Sequence, residues 1–220
     1  MARSAASPAS AASLARRSRG RPRRSPDQEA EVRGRVTQIA AQLFREEGIS
    51  ALSMRRIAGE ARIPVMSLYD YFRSKNEIIR SIWDRFFAKC FDRVDRAINA
   101  CDGKARERLE IACRAYVRYW LDHPDEYRAV FMIEDTIESQ EKYYVETSTI
   151  LERYGVFAKL LAEHLGAADM TSERLRERTV ALICALTGIC HMLVTVSEHS
   201  WPPPDRLLEQ TLRMVDGPLD

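Results

Sequence analysis

The chain has 220 residues, 45% of them hydrophobic, and a formal net charge of +2; it can bury a sizeable core in one large or two small domains, and its pattern favours two. No stretch approaches the ~18 uninterrupted apolar residues of a membrane span, and the N-terminus lacks the apolar run of a secretory signal, so a cytoplasmic protein with no membrane partner is expected. The charge is unevenly placed: residues 1–24 hold seven Arg and no acid, 25–90 hold 11 basic and 9 acidic residues, and 91–220 hold 16 and 23. Positive potential therefore gathers at the N-terminal end, where a polyanion would lie, and the acidic remainder should stay away from phosphate.

Residues 1–15 are almost entirely Ala, Ser and Pro around one Arg, with too little apolar bulk to offset the entropy of ordering. A disordered arm over residues 1–25 is expected. Its end reads Arg16-Arg17-Ser18-Arg19-Gly20-Arg21-Pro22-Arg23-Arg24. The Arg19-Gly20-Arg21-Pro22 core looks like an AT-hook. Gly lets the backbone lie deep in a narrow minor groove, and the guanidiniums of Arg19 and Arg21 complement its negative potential. A solvated basic tail that touches only phosphates is the alternative.

A first helix is expected from near Glu29 to Glu47, with Val32, Val36, Ile39, Ala40, Leu43 and Phe44 on one stripe and Gly48 as its stop. Two short helices follow with only Arg62 and Ile63 between them. Ser53 is a natural N-cap for the first, and Pro64 sits where the second would begin. Ile57, Ala58 and Ala61 share one face, and Val65, Leu68 and Phe72 follow the spacing of a buried stripe. Met66, Ser67, Asp70 and Tyr71 are left facing outward. The arrangement is a helix-turn-helix over residues 53–72, sized to put its second helix into a DNA major groove.

Here the chain resembles the TetR family of bacterial transcriptional regulators. Leu43-Phe44-Arg45-Glu46-Glu47-Gly48, Ser53-Met54-Arg55-Arg56-Ile57-Ala58 and Leu68-Tyr69-Asp70-Tyr71-Phe72-Arg73-Ser74-Lys75 all fall in register with its DNA-binding domain. The resemblance covers residues 30–90 and implies roles for single residues. Ser53 and the adjacent amides would meet a phosphate, Arg55 would reach groove or backbone, and Tyr69 and Lys75 would clamp the DNA backbone without reading sequence. Met66, Ser67 and Tyr71 would face base edges. Asp70 either pairs with Arg73 or Lys75, the favoured reading, or accepts from a cytosine amine. Two positions depart from the family pattern, Arg62 replacing Gly and Pro64 replacing Ser or Thr. A positive φ at Arg62 would cost more than at Gly, on the order of 1–2 kcal/mol.

Beyond this, Ser74 caps a fourth helix with an apolar face from Ile78 to Cys90, and helices are expected near 105–122, 124–134, 140–165, 171–198 and 205–216. Strand alternation is absent. The segment Tyr116 to Arg128, broken at His123-Pro124, and Gly188-Ile189-Cys190-His191 are similar to the WHG-type C-terminal domains of the same family. The resemblance implies a pocket between these helices for a small, mostly hydrophobic effector, with Tyr116, Trp120, Tyr127, Phe131 and His191 as candidate lining. The wider aromatic set, which also includes Tyr143, Tyr144 and Phe157, reads equally as plain core. Cys184, His191 and Glu198 recur every seven residues on one helix face, ~10 Å apart, too far for one metal ion. They mark a pocket wall or a dimer seam. The five cysteines, Cys90, Cys101, Cys113, Cys184 and Cys190, lack disulfide or zinc spacing and read as reduced, mostly buried thiols.

The expected fold is all-α: a three-helix helix-turn-helix domain over residues 30–90, joined by a fourth helix to an all-helical ligand-binding and dimerisation domain over 91–220. The resemblance implies a ligand-released repressor acting as a homodimer on a pseudo-palindromic DNA operator. The alternative is a DNA-binding activator or architectural protein that senses nothing. No phosphate loop, His-Glu-x-x-His or Gly-x-Ser-x-Gly motif points to an enzyme, and neither a cofactor nor a metal is expected.

Overall fold

The computed structural model describes residues 25–132, 149–166 and 173–216. The Arg-rich arm with Arg19 and Arg21, and the aromatics Tyr143 and Tyr144, lie outside the described residues. Helix α1 (Pro26–Glu47) starts three residues earlier than the periodicity predicts, because Ser25 and Gln28 form a reciprocal capping box and Pro26 takes the first helical position. It stops at Gly48, whose φ of 81° suits a residue without Cβ. After a 3-10 turn at Ile49–Ala51 come α2 (Met54–Glu60), α3 (Val65–Tyr71) and the long α4 (Lys75–Asn99). Ser53 accepts from the Arg56 amide at 3.1 Å and Ser74 from the Glu77 amide at 3.3 Å, so both predicted caps form.

Helix α4 buries Ile78, Ile79, Ile82, Trp83, Phe86, Phe87, Cys90, Phe91, Val94 and Ile98, an i, i+3, i+4 series that fills one face along its whole length. Each such large side chain stabilises the fold by roughly 1.5–3 kcal/mol relative to exposure. The helix runs unbroken past residue 90 to Asn99, the course expected of a linking helix. The remainder is α5 (Ala105–Asp122), α6 (Pro124–Phe131), α7 (Thr149–Arg153), α8 (Gly155–Leu165), α9 (Glu173–Thr195) and α10 (Pro204–Val215). Proline sets two of these boundaries: Pro124 ends α5 at the preceding His123 and opens α6, and Pro204 opens α10. The fold is all-α, as the sequence predicts.

Helix α5 is the hub, packed against α4, α8, α9 and α10. Around it Phe87, Phe91, Tyr116, Trp120, Tyr127, Phe131, Tyr154 and Phe157 meet mainly edge to face, with ring centroids 4.7 to 6.4 Å apart. Polar ties bind α4 to the elements beside it. The Trp83 indole donates to the Ala129 carbonyl at 2.8 Å, and Lys89 reaches Glu126 at 2.8 Å. Glu126 is buried and also accepts from the Tyr119 hydroxyl, so it has one partner in the core and one, Lys89, at the surface.

Helix α9 is long and apolar enough to cross a membrane by length and composition, but only a third of its most apolar window is buried, 33%. It packs on α5, α8 and α10, and leaves Val180, Cys184 and Met192 exposed. Cys90, Cys113 and Cys190 are buried thiols, and Cys184 is not. Burial pushes Cys90 and Cys113 well above the ordinary thiol range and Cys190 up to about 12, which keeps them protonated and inert.

Candidate nucleic-acid interface and effector cavity

Helix α3 has one face in the core, with Leu68 fully buried, and one in solvent, with Met66 77% and Tyr69 46% exposed. Ser67 is half-buried and Asp70 exposed; Ser53 and Arg55 are exposed at the start of α2, and Lys75 is half-buried at the start of α4. Met66, Ser67, Tyr69, Ser53, Arg55 and Lys75 thus come from three adjoining helix segments. The two arginines of α2 differ. Arg56 is held by Glu47 at 2.9 Å and Glu60 at 3.2 Å, whereas Arg55 enters no ion pair among the described residues. A guanidinium without a partner is the one free to meet an anion.

Three expectations for α3 are corrected. Tyr71 does not face outward; it is only 5% exposed. Tyr71 lies three residues after Leu68, within the apolar arc of a helix that needs more than 100° of buried face, and the chain leaves the helix at Phe72 in an extended conformation. Nor does Asp70 pair with Arg73 or Lys75: among the described residues it enters no ion pair. The Arg73 amide donates instead to Glu77 at 2.7 Å. Pro64 is the N-cap of α3, with φ −58° and ψ 141°, rather than its first helical residue.

A latch that periodicity did not reveal fixes the far end of α3. Arg33 of α1 donates to the Tyr71 carbonyl and, at 2.9 Å, to Glu77 of α4. Its guanidinium also lies over the Phe72 ring, 4.2 Å from the centroid. Partial burial works to raise the Glu77 carboxyl, but the Arg73 amide and the Arg33 guanidinium outweigh it and hold it below the ordinary carboxylate value. Two helices, α1 and α4, thereby set the angle of α3. Arg33 is 44 residues from Glu77, so no local spacing could have paired them.

A mostly apolar hollow lies elsewhere than the aromatic pattern predicts. A cavity of about 550 Å³ is lined by Phe87 and Phe131 with Ile150, Leu151, Tyr154, Gly155 and Ala158 of α7 and α8, and Thr179, Val180, Ile183, Cys184 and Thr187 of α9. Of the five candidates only Phe131 lines it. Tyr116, Trp120 and Tyr127 are fully buried, consumed by ring packing around α5, and His191 is exposed, beside Tyr127 at 6.3 Å between ring centroids. Tyr116 and Tyr127 stand behind the cavity wall and touch it, the first by its hydroxyl to Tyr154 at 2.9 Å, the second by its hydroxyl to the Thr187 carbonyl at 3.2 Å and by its ring to Phe131. Cys184, one of the seven-residue series, does stand on the wall. Among the described residues no cluster of His, Cys, Asp and Glu could hold a metal ion.

An exposed helix held from behind by two others is the arrangement of a helix-turn-helix. The comparisons with known proteins make this particular. Residues 37–82 match the family described as bacterial regulatory proteins, tetR family, and residues 109–215 match the tetracyclin repressor-like C-terminal domain. The chain belongs to the tetR family. The C-terminal description is general, and carries the WHG-type likeness no further. Among relatives, the transcriptional repressor DrrR1 of Streptomyces coeruleorubidus is 34% identical over 90 residues, 41% of this chain and 32% of that protein. The transcriptional repressor KstR2 of Mycobacterium tuberculosis is 39% identical over 71 residues, 30% of this chain and 36% of its own. The chain thus spans about a third of the length of the curated relatives it matches. Of the solved structures, the fatty acid degradation regulator FadR from Bacillus halodurans superposes with a TM-score of 0.62 at 16% identity, over 88% of this chain and 96% of that one. At that identity the likeness is one of fold.

Proposed function

We propose that the protein is a homodimeric DNA-binding repressor that leaves its operator when a small apolar molecule occupies the cavity between α4, α6, α8 and α9. The observation that carries this reading is α3: an apolar face locked by Leu68, Tyr71 and Phe72, and an outward face that keeps Met66 and Tyr69 in water. Rigid support behind an exposed reading surface is what a major groove requires. In this reading Met66 and Ser67 meet base edges, Ser53, Arg55, Tyr69 and Lys75 hold phosphates, and Arg19 and Arg21 of the arm enter the adjacent minor groove. Residues 30–90 form the reading head, and 91–220 the sensing and dimerising body.

One such head binds too weakly to select a site, so two are needed. The C-terminal end of α9 supports pairing with a second copy, because Met192 and, just past the helix, Val196 are each 40% or more exposed. The cavity supports the effector. A protein that sensed nothing would gain by filling it, since each empty volume costs packing energy. Phe87 and Phe131 belong to its wall, and α4 and α6 are tied together by Trp83 and Lys89. A ligand pressing on that wall would favour one setting of α4, and with it one separation of the heads, shifting affinity by its preference between the two states.

The test is selection of bound sequences from a random duplex pool by the full chain. A two-fold symmetric site with half-sites about 34–36 Å apart, or a multiple of that, is expected. Enrichment of A·T runs alone would mean that the arm binds and α3 does not.

A further inference from the structure

Among the described residues, Arg62 is the one non-glycine with a positive φ, 53°. It closes α2 with two backbone bonds: its own amide donates to the Gly59 carbonyl at 3.1 Å, and the Ile63 amide to the Ala58 carbonyl at 3.0 Å. This ending places the residue after the helix cap in the left-handed region, where glycine is favoured because it has no Cβ. Elsewhere the chain follows that preference, with Gly48 after α1 at 81° and Gly166 after α8 at 65°. Among the described residues, only in the turn that leads into α3 does it place an arginine.

Among the described residues nothing compensates. The Arg62 side chain is exposed and enters no ion pair among the described residues, and the nearby Glu60 is held by Arg56. Strained residues persist where something else rewards them, and they gather at binding sites. We infer that Arg62 is a DNA contact, its guanidinium binding a backbone phosphate at the rim of the groove that α3 enters. This rests on the DNA-binding reading above. When such a motif docks, its first helix crosses the backbone and its second lies in the groove, so the turn between them passes over the rim. A guanidinium presents a planar fork of donors matched to phosphate, which a glycine at this turn could not supply.

The experiment compares Arg62→Gly, Arg62→Asn and Arg62→Lys with the unaltered protein, by thermal unfolding and by titration of the selected duplex at several salt concentrations. Arg62→Gly is expected to raise Tm by roughly 2 °C. It should also weaken binding about tenfold, alike on selected and unrelated duplexes, and lower the log–log salt slope by about 0.9 per protomer. Arg62→Asn, tolerant of this backbone but uncharged, should lose the same affinity, and Arg62→Lys should keep the slope. A turn residue with a purely structural role would not move stability and affinity in opposite directions. Arg62→Gly binding as tightly as the unaltered protein would overturn the inference. So would a loss confined to the selected sequence, which is the mark of a base contact. If Tyr69→Ala abolishes binding while Arg62→Gly does not, the DNA-binding reading stands and this one falls; if the unaltered protein retains no duplex, both fall together.

Discussion

The reading head and the helical body beneath it use their aromatic residues in opposite ways. In the head Tyr69 stands half in solvent while Phe72 lies buried under Arg33, so one ring is open to solvent and one is fixed in the core. In the body Tyr116, Trp120, Tyr127 and Phe157 are all fully buried, and the open space is the gap that α8 and α9 leave beside them. A ring at a surface can be the functional group itself. A ring in a packed core more often frames the functional space, and the wall is finished by smaller residues such as Thr187, Ile183 and Cys184.

This contrast can be broken by substitution, most severely in the body. Trp120→Ala should destabilise the fold by roughly 3–5 kcal/mol, because it removes a fully buried ring that packs against Phe87, Tyr116, Tyr127 and Phe131; chemical denaturation measures it. A loss below about 1 kcal/mol would make Trp120 pocket lining after all. Next comes the latch. Arg33→Ala, its guanidinium partly exposed and so partly screened, should cost roughly 1–2 kcal/mol and weaken operator binding by loosening α3. The Glu77 carboxyl is held below its ordinary value, so its contribution is fully present above the ordinary carboxylate range and is lost as pH falls through the lowered value. Acid unfolding curves of Arg33→Ala should be flatter there.

Smaller effects sharpen the account within the head. Ser53→Ala removes the cap on α2 and should cost about 1 kcal/mol, visible in Tm, together with affinity if the hydroxyl also meets a phosphate. Smallest in stability is the pair that separates the two faces of α3. Met66→Ala should leave Tm nearly unchanged and alter the preferred sequence, whereas Tyr71→Phe should leave the preferred sequence alone. A changed preference for Tyr71→Phe would restore Tyr71 to the reading face.

What was legible in the sequence was short in range. Ser53 and Ser74 as caps, Pro124 as a boundary, and the stripe through Val65, Leu68 and Phe72 each depend on residues within a turn or two, and the all-α fold follows from such signals repeated along the chain. Tyr71 was misplaced because a seven-residue helix offers too little periodicity to tell the edge of its buried arc from its outer face. The Arg33 and Glu77 latch joins residues that only the packing of α1 against α4 brings together. The cavity was misassigned for the same kind of reason. Helical spacing shows that Tyr116, Trp120 and Tyr127 turn inward, but not whether another helix closes over them. Arg62 shows the converse, since its departure from glycine was readable as a local cost, and the structure shows that the backbone bears it.

The most direct test of the central claim, that α3 reads DNA from a rigid support, is titration of the selected duplex with the unaltered protein, Tyr69→Ala and Lys75→Ala. The account predicts that both variants fold with unchanged Tm and lose binding to the two-fold symmetric site. Variants that bind it as tightly as the unaltered protein would contradict the account.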